Sequence, residues 1–248
     1  MRGQVNSLAL ALILLSGLSG CTFFQQNNDG FDLNVEMDTT NNVITKVFSD
    51  GELESISDVS ISFDFSKTTT ELKLIGVDKN DGSTPLEKSP SEGMILKLNF
   101  LSHGKYNLTI YAISELGSKE KLATQISIDL RIKWFENSTS EPSPLAFNPI
   151  PENGGEHPLM IEIESEVSNP SILNDFSGGQ SVQFSWTITD ELGDTCQRND
   201  REVSDGESET WETIHFNTYL LHELGVEYHE GQDFIDIYHD VLITYQSD

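Results

Sequence analysis

Three histidines near the C-terminal end, His222, His229 and His239, stand among Glu223, Glu227, Glu230, Asp233, Asp236 and Asp240. Imidazole nitrogen and carboxylate oxygen together suit zinc and related divalent ions. The spacing is not that of a zinc-protease helix. His222-Glu223 is followed by Leu-Gly-Val, so no His-Glu-x-x-His pair shares a helical face. A scatter of surface histidines is the simpler account. A second cluster is richer in oxygen: the loop expected from Asp190 to Glu212 carries Asp190, Glu191, Asp194, Asp200, Glu202, Asp205, Glu207 and Glu209. Calcium takes about six to eight oxygen ligands from a flexible loop, and Asp190, Asp194, Asp200 and Asp205 are the candidate calcium ligands here. Their irregular spacing matches neither an EF-hand nor a nonapeptide repeat. Asp78, Asn80 and Asp81 before Gly82 make a shorter version of the same chemistry. Cys196 reads as an inert thiol, because no histidine stands at a spacing that would activate it. There is no Gly-x-Ser-x-Gly elbow, phosphate-binding loop or dinucleotide fingerprint. No catalytic residue is assigned, and the expectation is a protein that is not an enzyme.

Charge narrows the range of partners. The formal net charge is −27. It is uneven along the chain: residues 22–133 carry 17 acids and 11 bases, whereas residues 134–248 carry 24 acids and only Arg198 and Arg201. Such a surface repels nucleic acid and anionic headgroups and attracts cations, cationic peptides or a basic protein face. Adaptation to salty water, where screening makes high charge tolerable, explains the same composition without any partner.

The N-terminal end has its own logic. Arg2 precedes an apolar run from Leu8 to Leu18, too short for a stable membrane span but of signal-peptide length. Leu18-Ser19-Gly20-Cys21 resembles the lipobox of prokaryotic lipoproteins: an aliphatic residue, two small residues, then cysteine. The resemblance implies a signal peptide over 1–20, cleavage before Cys21, and lipid (palmitate-type acyl chains) on that cysteine. Residues 21–30 then form a short tether. Thr22 differs from the aspartate of an inner-membrane retention signal, which favours the outer membrane in a diderm host. Lipidation of Cys21 would leave Cys196 alone, so no intrachain disulfide is expected.

The elements that must position any site are strands. From Phe31 to Lys133 apolar residues alternate with polar ones: Phe31-Leu33-Val35-Met37, Val59-Ile61-Phe63-Phe65, Leu72-Leu74, Leu96-Leu98-Phe100, Leu108-Ile110 and Ile126-Ile128-Leu130-Ile132. Turn formers separate these runs at Ser49-Asp50-Gly51, Asn80-Asp81-Gly82, His103-Gly104 and Leu116-Gly117-Ser118. The segment from Met94 to Ile132 resembles the last three strands of polycystic-kidney-disease (PKD) and related immunoglobulin-like domains. Its Gly104-Lys105-Tyr106 turn, Leu108-Ile110-Ala112 strand and Gly117 hairpin carry the likeness. Ser62-Phe63-Asp64-Phe65 stands where that family has Trp-x-Phe-Gly-Asp-Gly.

Four prolines and Gly154-Gly155 interrupt the pattern over 134–157, and a Pro/Gly-rich linker is expected there. Beyond it, Leu159-Ile161-Ile163, Val182-Phe184-Trp186-Ile188, 211–216 and 234–245 read as strands, and Gln183–Asp190 resembles the strand that carries the buried tryptophan of immunoglobulin-like folds. Asn217–Gly225 reads as a short helix ended by Gly225. The expectation is therefore an all-β chain: two tandem immunoglobulin-like β-sandwiches, over 31–133 and 158–248, behind a cleaved lipoprotein signal peptide. The function expected is a lipid-anchored cell-envelope protein of binding or adhesion type, held to the membrane by its lipid and using loops of the acidic half. The rival is a carbohydrate- or divalent-metal-binding accessory module of a surface uptake system.

Overall fold

Strict alternation over Val59-Ser-Ile-Ser-Phe-Asp64 sends Val59, Ile61 and Phe63 to one side, and all three are buried. The same rule builds nearly the whole chain. In the computed structural model, which describes residues 30–171, 179–231 and 234–246, the strands are β1 (Glu36–Met37), β2 (Asn41–Ser49), β3 (Glu52–Ile56), β4 (Val59–Asp64), β5 (Leu72–Asp78), β6 (Leu86–Lys88), β7 (Ile95–Phe100) and β8 (Gly104–Ser114). They continue as β9 (Lys119–Thr139), β10 (Leu145–Phe147), β11 (Met160–Ser168), β12 (Val182–Asp190), β13 (Thr195–Val203), β14 (Ser208–His215), β15 (His222–Glu230) and β16 (Ile235–Thr244). Among the described residues the one helical element is a 3₁₀ turn at Pro90–Glu92, and no helix is long and apolar enough to cross a membrane. The signal peptide, Cys21 and the tether to Asp29 lie outside the described residues.

The chain is all-β with sandwich-like layers. A nine-stranded sheet runs β14-β11-β16-β9-β8-β5-β6, with β2 and β3 attached through β9. A three-stranded sheet, β1-β4-β7, and a four-stranded sheet, β10-β15-β12-β13, complete the layers. The strand β9 organises all of this. It pairs with β8 from Lys119 to Ile128, with β16 from Leu130 to Thr139, and with β2, in parallel, from Ser127 to Phe135. Since β2 overlaps both other pairings, β8 and β16 must share the opposite edge of β9, set end to end.

That abutment is fastened by polar groups. Asp129 accepts hydrogen bonds from the Tyr245 backbone N–H (2.9 Å) and the Thr244 hydroxyl (3.2 Å). The Tyr245 hydroxyl meets Nδ1 of buried His103 at 2.8 Å, one residue before β8 begins. Across the start of β8, the Asn153 amide donates to the Lys105 carbonyl (2.9 Å), and Lys105 pairs with Glu156 (2.8 Å). Gly104 is needed there: at φ +149° a Cβ would also stand 2.7 to 2.9 Å from Asn153 side-chain atoms.

Two expectations change. Contacts divide the chain into Met1–Gly30 and Phe31–Asp248, with no division near 134. Residues 134–139 finish β9, Leu145–Phe147 form β10, and Leu145 and Phe147 belong to the same buried cluster as Ile61, Ile110 and Ile243. The prolines of the expected linker fall on either side of β10, where they break no ladder. Asn217–Gly225 is not a helix. His222, Leu224 and Val226 alternate inward on β15, and pairing with β10 and β12 outweighs local helix propensity. A smaller buried cluster, Val167, Val182, Phe184, Trp186, Val203, Val226, Ile235 and Ile237, closes the far end. Each such large side chain contributes about 1.5–3 kcal/mol by leaving water.

Two buried histidines make stability depend on pH. Burial, helped by Lys46, pushes His103 down to about 4, and burial pushes His239, bonded to the Ser165 hydroxyl at 2.7 Å, down to about 3. Both are neutral in the fold, whereas the unfolded chain takes up protons near the ordinary histidine value of 6.5. Their contribution is therefore complete above 6.5 and is lost as pH falls toward the folded values. Each should add a slope of about 1.4 kcal/mol per pH unit across that window. Denaturant melts between pH 7 and pH 4.5 should show this loss, and His239→Asn should flatten it. An unchanged slope in that variant would refute the assignment.

Candidate functional site

The outward face of β14, β11, β16 and β9 is where the acidic half shows its charge. Register sets the rows. Glu212 lies opposite Glu164, Glu164 opposite Asp240, and Asp240 opposite Lys133. The next row is Ile214, Glu162, Leu242 and Arg131, and the row on the other side holds Thr210, Glu166, Tyr238 and Phe135. Inward neighbours on the same strands (Ile161, Ile163, Val241 and Ile243) are buried, which forces the carboxylates outward. Arg131 Nε faces Asp240 Oδ1 at 3.2 Å, and Tyr238 donates to Asp240 Oδ2 at 3.2 Å. Burial, with Asp240 and Glu164 beside it, pushes the Tyr238 hydroxyl up to about 12, so it stays a donor. Phe135 and Tyr238 stack at 5.0 Å, making a small aromatic shelf. Between the rows lies a shallow depression of about 430 Å³ lined by Arg131, Glu162, Glu164, Glu212, Asp240 and Leu242. Among the described residues of these paired rows, Glu162, Glu164, Glu166, Glu212, Asp236 and Asp240 are accompanied by two bases, Arg131 and Lys133.

The candidate calcium ligands fall elsewhere. The stretch after Asp190 is not one loop but the strands β13 and β14 with their turns. Asp190 and Asp194 belong to the β12–β13 turn, where Asp190 Oδ1 accepts from the Leu192 and Asp194 backbone N–H groups (2.9 and 3.1 Å). Asp205 sits past the other end of β13, about 30 Å of extended chain away. Asp200 accepts from Ser185 Oγ (2.6 Å) and from Arg198 Nε (2.9 Å), contacts that hold its carboxyl below the usual range. The four do not converge on one point. Strand β13 has no alternating apolar face to mark it in the sequence, because it is a polar edge strand with only Val203 buried.

The histidines also separate. His239 is buried against Ser165, and His229 Nε2 meets Ser185 Oγ at 2.6 Å. That serine also contacts Asp200 and Arg198. In a nucleophilic triad the carboxylate orients the imidazole; here Asp200 binds the serine itself, so the group is a cross-strand polar ladder. His222 instead faces a residue the sequence did not suggest. It stands against His215, ring centroids 4.5 Å apart at 80°, with both rings buried. Cys196 joins them: its sulfur and one nitrogen of each ring lie within 4.8 Å of one another. A β-bulge explains its aim. Thr189 pairs with Thr195 and Ile188 with Gln197, leaving Cys196 as the extra residue. His215 was legible from the alternation Trp211-Thr213-His215, but His222 was hidden by the helical reading of its segment.

No family model matches the chain, and no curated protein matches it. Solved structures that overlay on it include a carbohydrate-binding module of the β-sandwich superfamily, at 11% identity over 87% of this chain and 98% of that chain, with a TM-score of 0.31. The fibronectin(III)-like modules of Clostridium thermocellum CbhA overlay at 17% identity over 86% and 94%, with a TM-score of 0.27. Bacteroides uniformis β-glucuronidase overlays at 9% identity and a TM-score of 0.31, over 84% of this chain but only 30% of its own. The all-β architecture stands on the strand pairing described above.

Proposed function

We propose that this chain is a lipid-anchored, non-catalytic binding protein of the cell envelope that takes a cationic protein segment on the acidic face of β14, β11, β16 and β9. One observation carries the reading: Glu164 lies directly opposite both Glu212 and Asp240 in the ladder. Like charges placed opposite one another cost each sheet about 0.2–1 kcal/mol per pair. Among the described residues, Arg131 is the one base that meets a carboxylate of that row closely. A fold that concentrates such repulsion on one open face gains most when a cation covers it. Lysine and arginine side chains of a partner would supply that cover, with the Phe135–Tyr238 shelf taking their aliphatic stems. The face is a rigid sheet rather than the loop cluster expected from sequence, which keeps its charges in fixed register.

Glu164→Gln should therefore act in opposite directions on two measurements. Relief of repulsion raises the melting stability of the free protein by about 0.5 kcal/mol, while calorimetric binding of an oligolysine peptide weakens and its salt dependence becomes shallower. Binding that is unchanged in the variant would refute the reading.

The anchor is tested separately. Cys21→Ala should release the protein from membrane fractions into the soluble fraction, since the acidic surface has no attraction for anionic headgroups. Persistent membrane association of that variant would contradict a lipid anchor at Cys21.

A further inference from the structure

The end of the sandwich formed by β13, β14 and β15 holds a group that the acidic face does not use. Cys196 comes from the bulge on β13, His215 from the last position of β14, and His222 from the first position of β15. Two different sheets thus deliver three side chains to one place. Gln197 fixes the edges between those sheets: its amide donates to the Ile214 carbonyl (3.1 Å) and its oxygen accepts from the Thr213 hydroxyl (2.7 Å).

The His222 imidazole is set up as a ligand. His222 Nε2 donates to the Asn217 backbone carbonyl at 2.8 Å, so its proton is committed there and the Nδ1 lone pair is free. That Nδ1 is buried without a hydrogen-bond partner, and so is Nε2 of His215. Leaving two buried nitrogens unsatisfied side by side is costly. For His222, a backbone carbonyl on one nitrogen and an open lone pair on the other is the arrangement that orients a metal-bound histidine; His215 Nδ1 faces the Gln197 amide nitrogen at a long 3.5 Å, and metal binding at Nε2 requires the ring proton to sit on Nδ1 in place of that contact. Phe147 packs on His222 at 5.6 Å and limits its rotation.

We infer that Cys196, His215 and His222 form a binding site for a single transition-metal ion of the zinc class, with the fourth position open to solvent. Sulfur with two imidazole nitrogens selects borderline and soft ions over calcium or magnesium, which require oxygen. Zinc bonds of about 2.0–2.1 Å to nitrogen and 2.3 Å to sulfur bring tetrahedral ligand atoms closer together than 4.8 Å, the separation within which all three lie here, so a small adjustment completes the site. Three protein ligands leave one of four positions vacant, and of the three Cys196 is the exposed one. Asp190 and Asp194 stand beside Cys196 in the β12–β13 turn, where the Cys196 sulfur lies 3.7 Å from the Asp194 carbonyl, and give that side a negative charge. None of the three ligands belongs to the acidic rows of the β14-β11-β16-β9 face, so cation-peptide binding and metal binding can fail independently.

Titration of the purified protein with Zn²⁺, followed by calorimetry and by competition with a chromophoric chelator, tests this. One ion should bind per chain, binding should persist in Cys21→Ala, and Cys196→Ser should weaken it roughly 100-fold. Substituting Co²⁺ should give a thiolate-to-cobalt absorption band that Cys196→Ser abolishes. In the unaltered protein, Zn²⁺ should shield Cys196 from alkylation, a readout that needs no variant to fold. Absence of stoichiometric Zn²⁺ binding, its loss in Cys21→Ala, or full affinity in Cys196→Ser would each overturn the assignment.

Discussion

Everything in the described fold depends on one strand being long enough to serve two sandwiches. β9 spans 21 residues, twice the length of most strands around it. Its first half carries β8 and its second half carries β16 on the same edge. Two strands meeting end to end leave a seam where backbone groups would lose their ladder partners. Asp129 closes that seam by accepting the Tyr245 N–H, and the contact between His103 and Tyr245 ties the start of β8 to the end of β16. The apolar cluster follows the same route without interruption, from Phe63 and Ile110 to Phe147, Ile161 and Val241.

This continuity sets what the acidic half can do. A sheet held from below by buried Ile163, Val241 and Ile132 cannot splay to separate its outward carboxylates. Repulsion among Glu164, Glu212 and Asp240 is therefore retained in the free protein, where a mobile loop would have relieved it. Rigidity also explains how Cys196, His215 and His222 are brought together. They come from separate strands, and only the fixed separation of the two sheets makes their convergence reproducible.

The architecture was legible wherever side chains alternate: β4, β7, β8, β9, β11, β12 and β16 all carry that pattern. It was illegible where pairing alone makes a strand. β13 reads Thr-Cys-Gln-Arg-Asn-Asp-Arg-Glu-Val and has almost no apolar face, because it is an edge. β15 was obscured by Gly225, which looks like a helix stop but lies opposite Thr187, whose hydroxyl would stand 3.2 Å from an added Cβ. The prolines of 134–157 pointed to a linker because composition reports where a ladder breaks, not whether the broken stretch packs. Cys196 could not be placed from sequence, since the bulge that aims it depends on the register between β12 and β13.

The central claim, that β9 makes Phe31–Asp248 one cooperative unit rather than two sandwiches on a linker, is tested most directly by unfolding both ends at once. In a Trp134→Phe variant, tryptophan fluorescence in denaturant reports the end that holds Trp186 and Trp211, and hydrogen exchange of peptides from β4, β5 and β7 reports the other. Coincident midpoints and equal free energies are predicted. A first transition that leaves either end protected would contradict the shared strand as the basis of the fold.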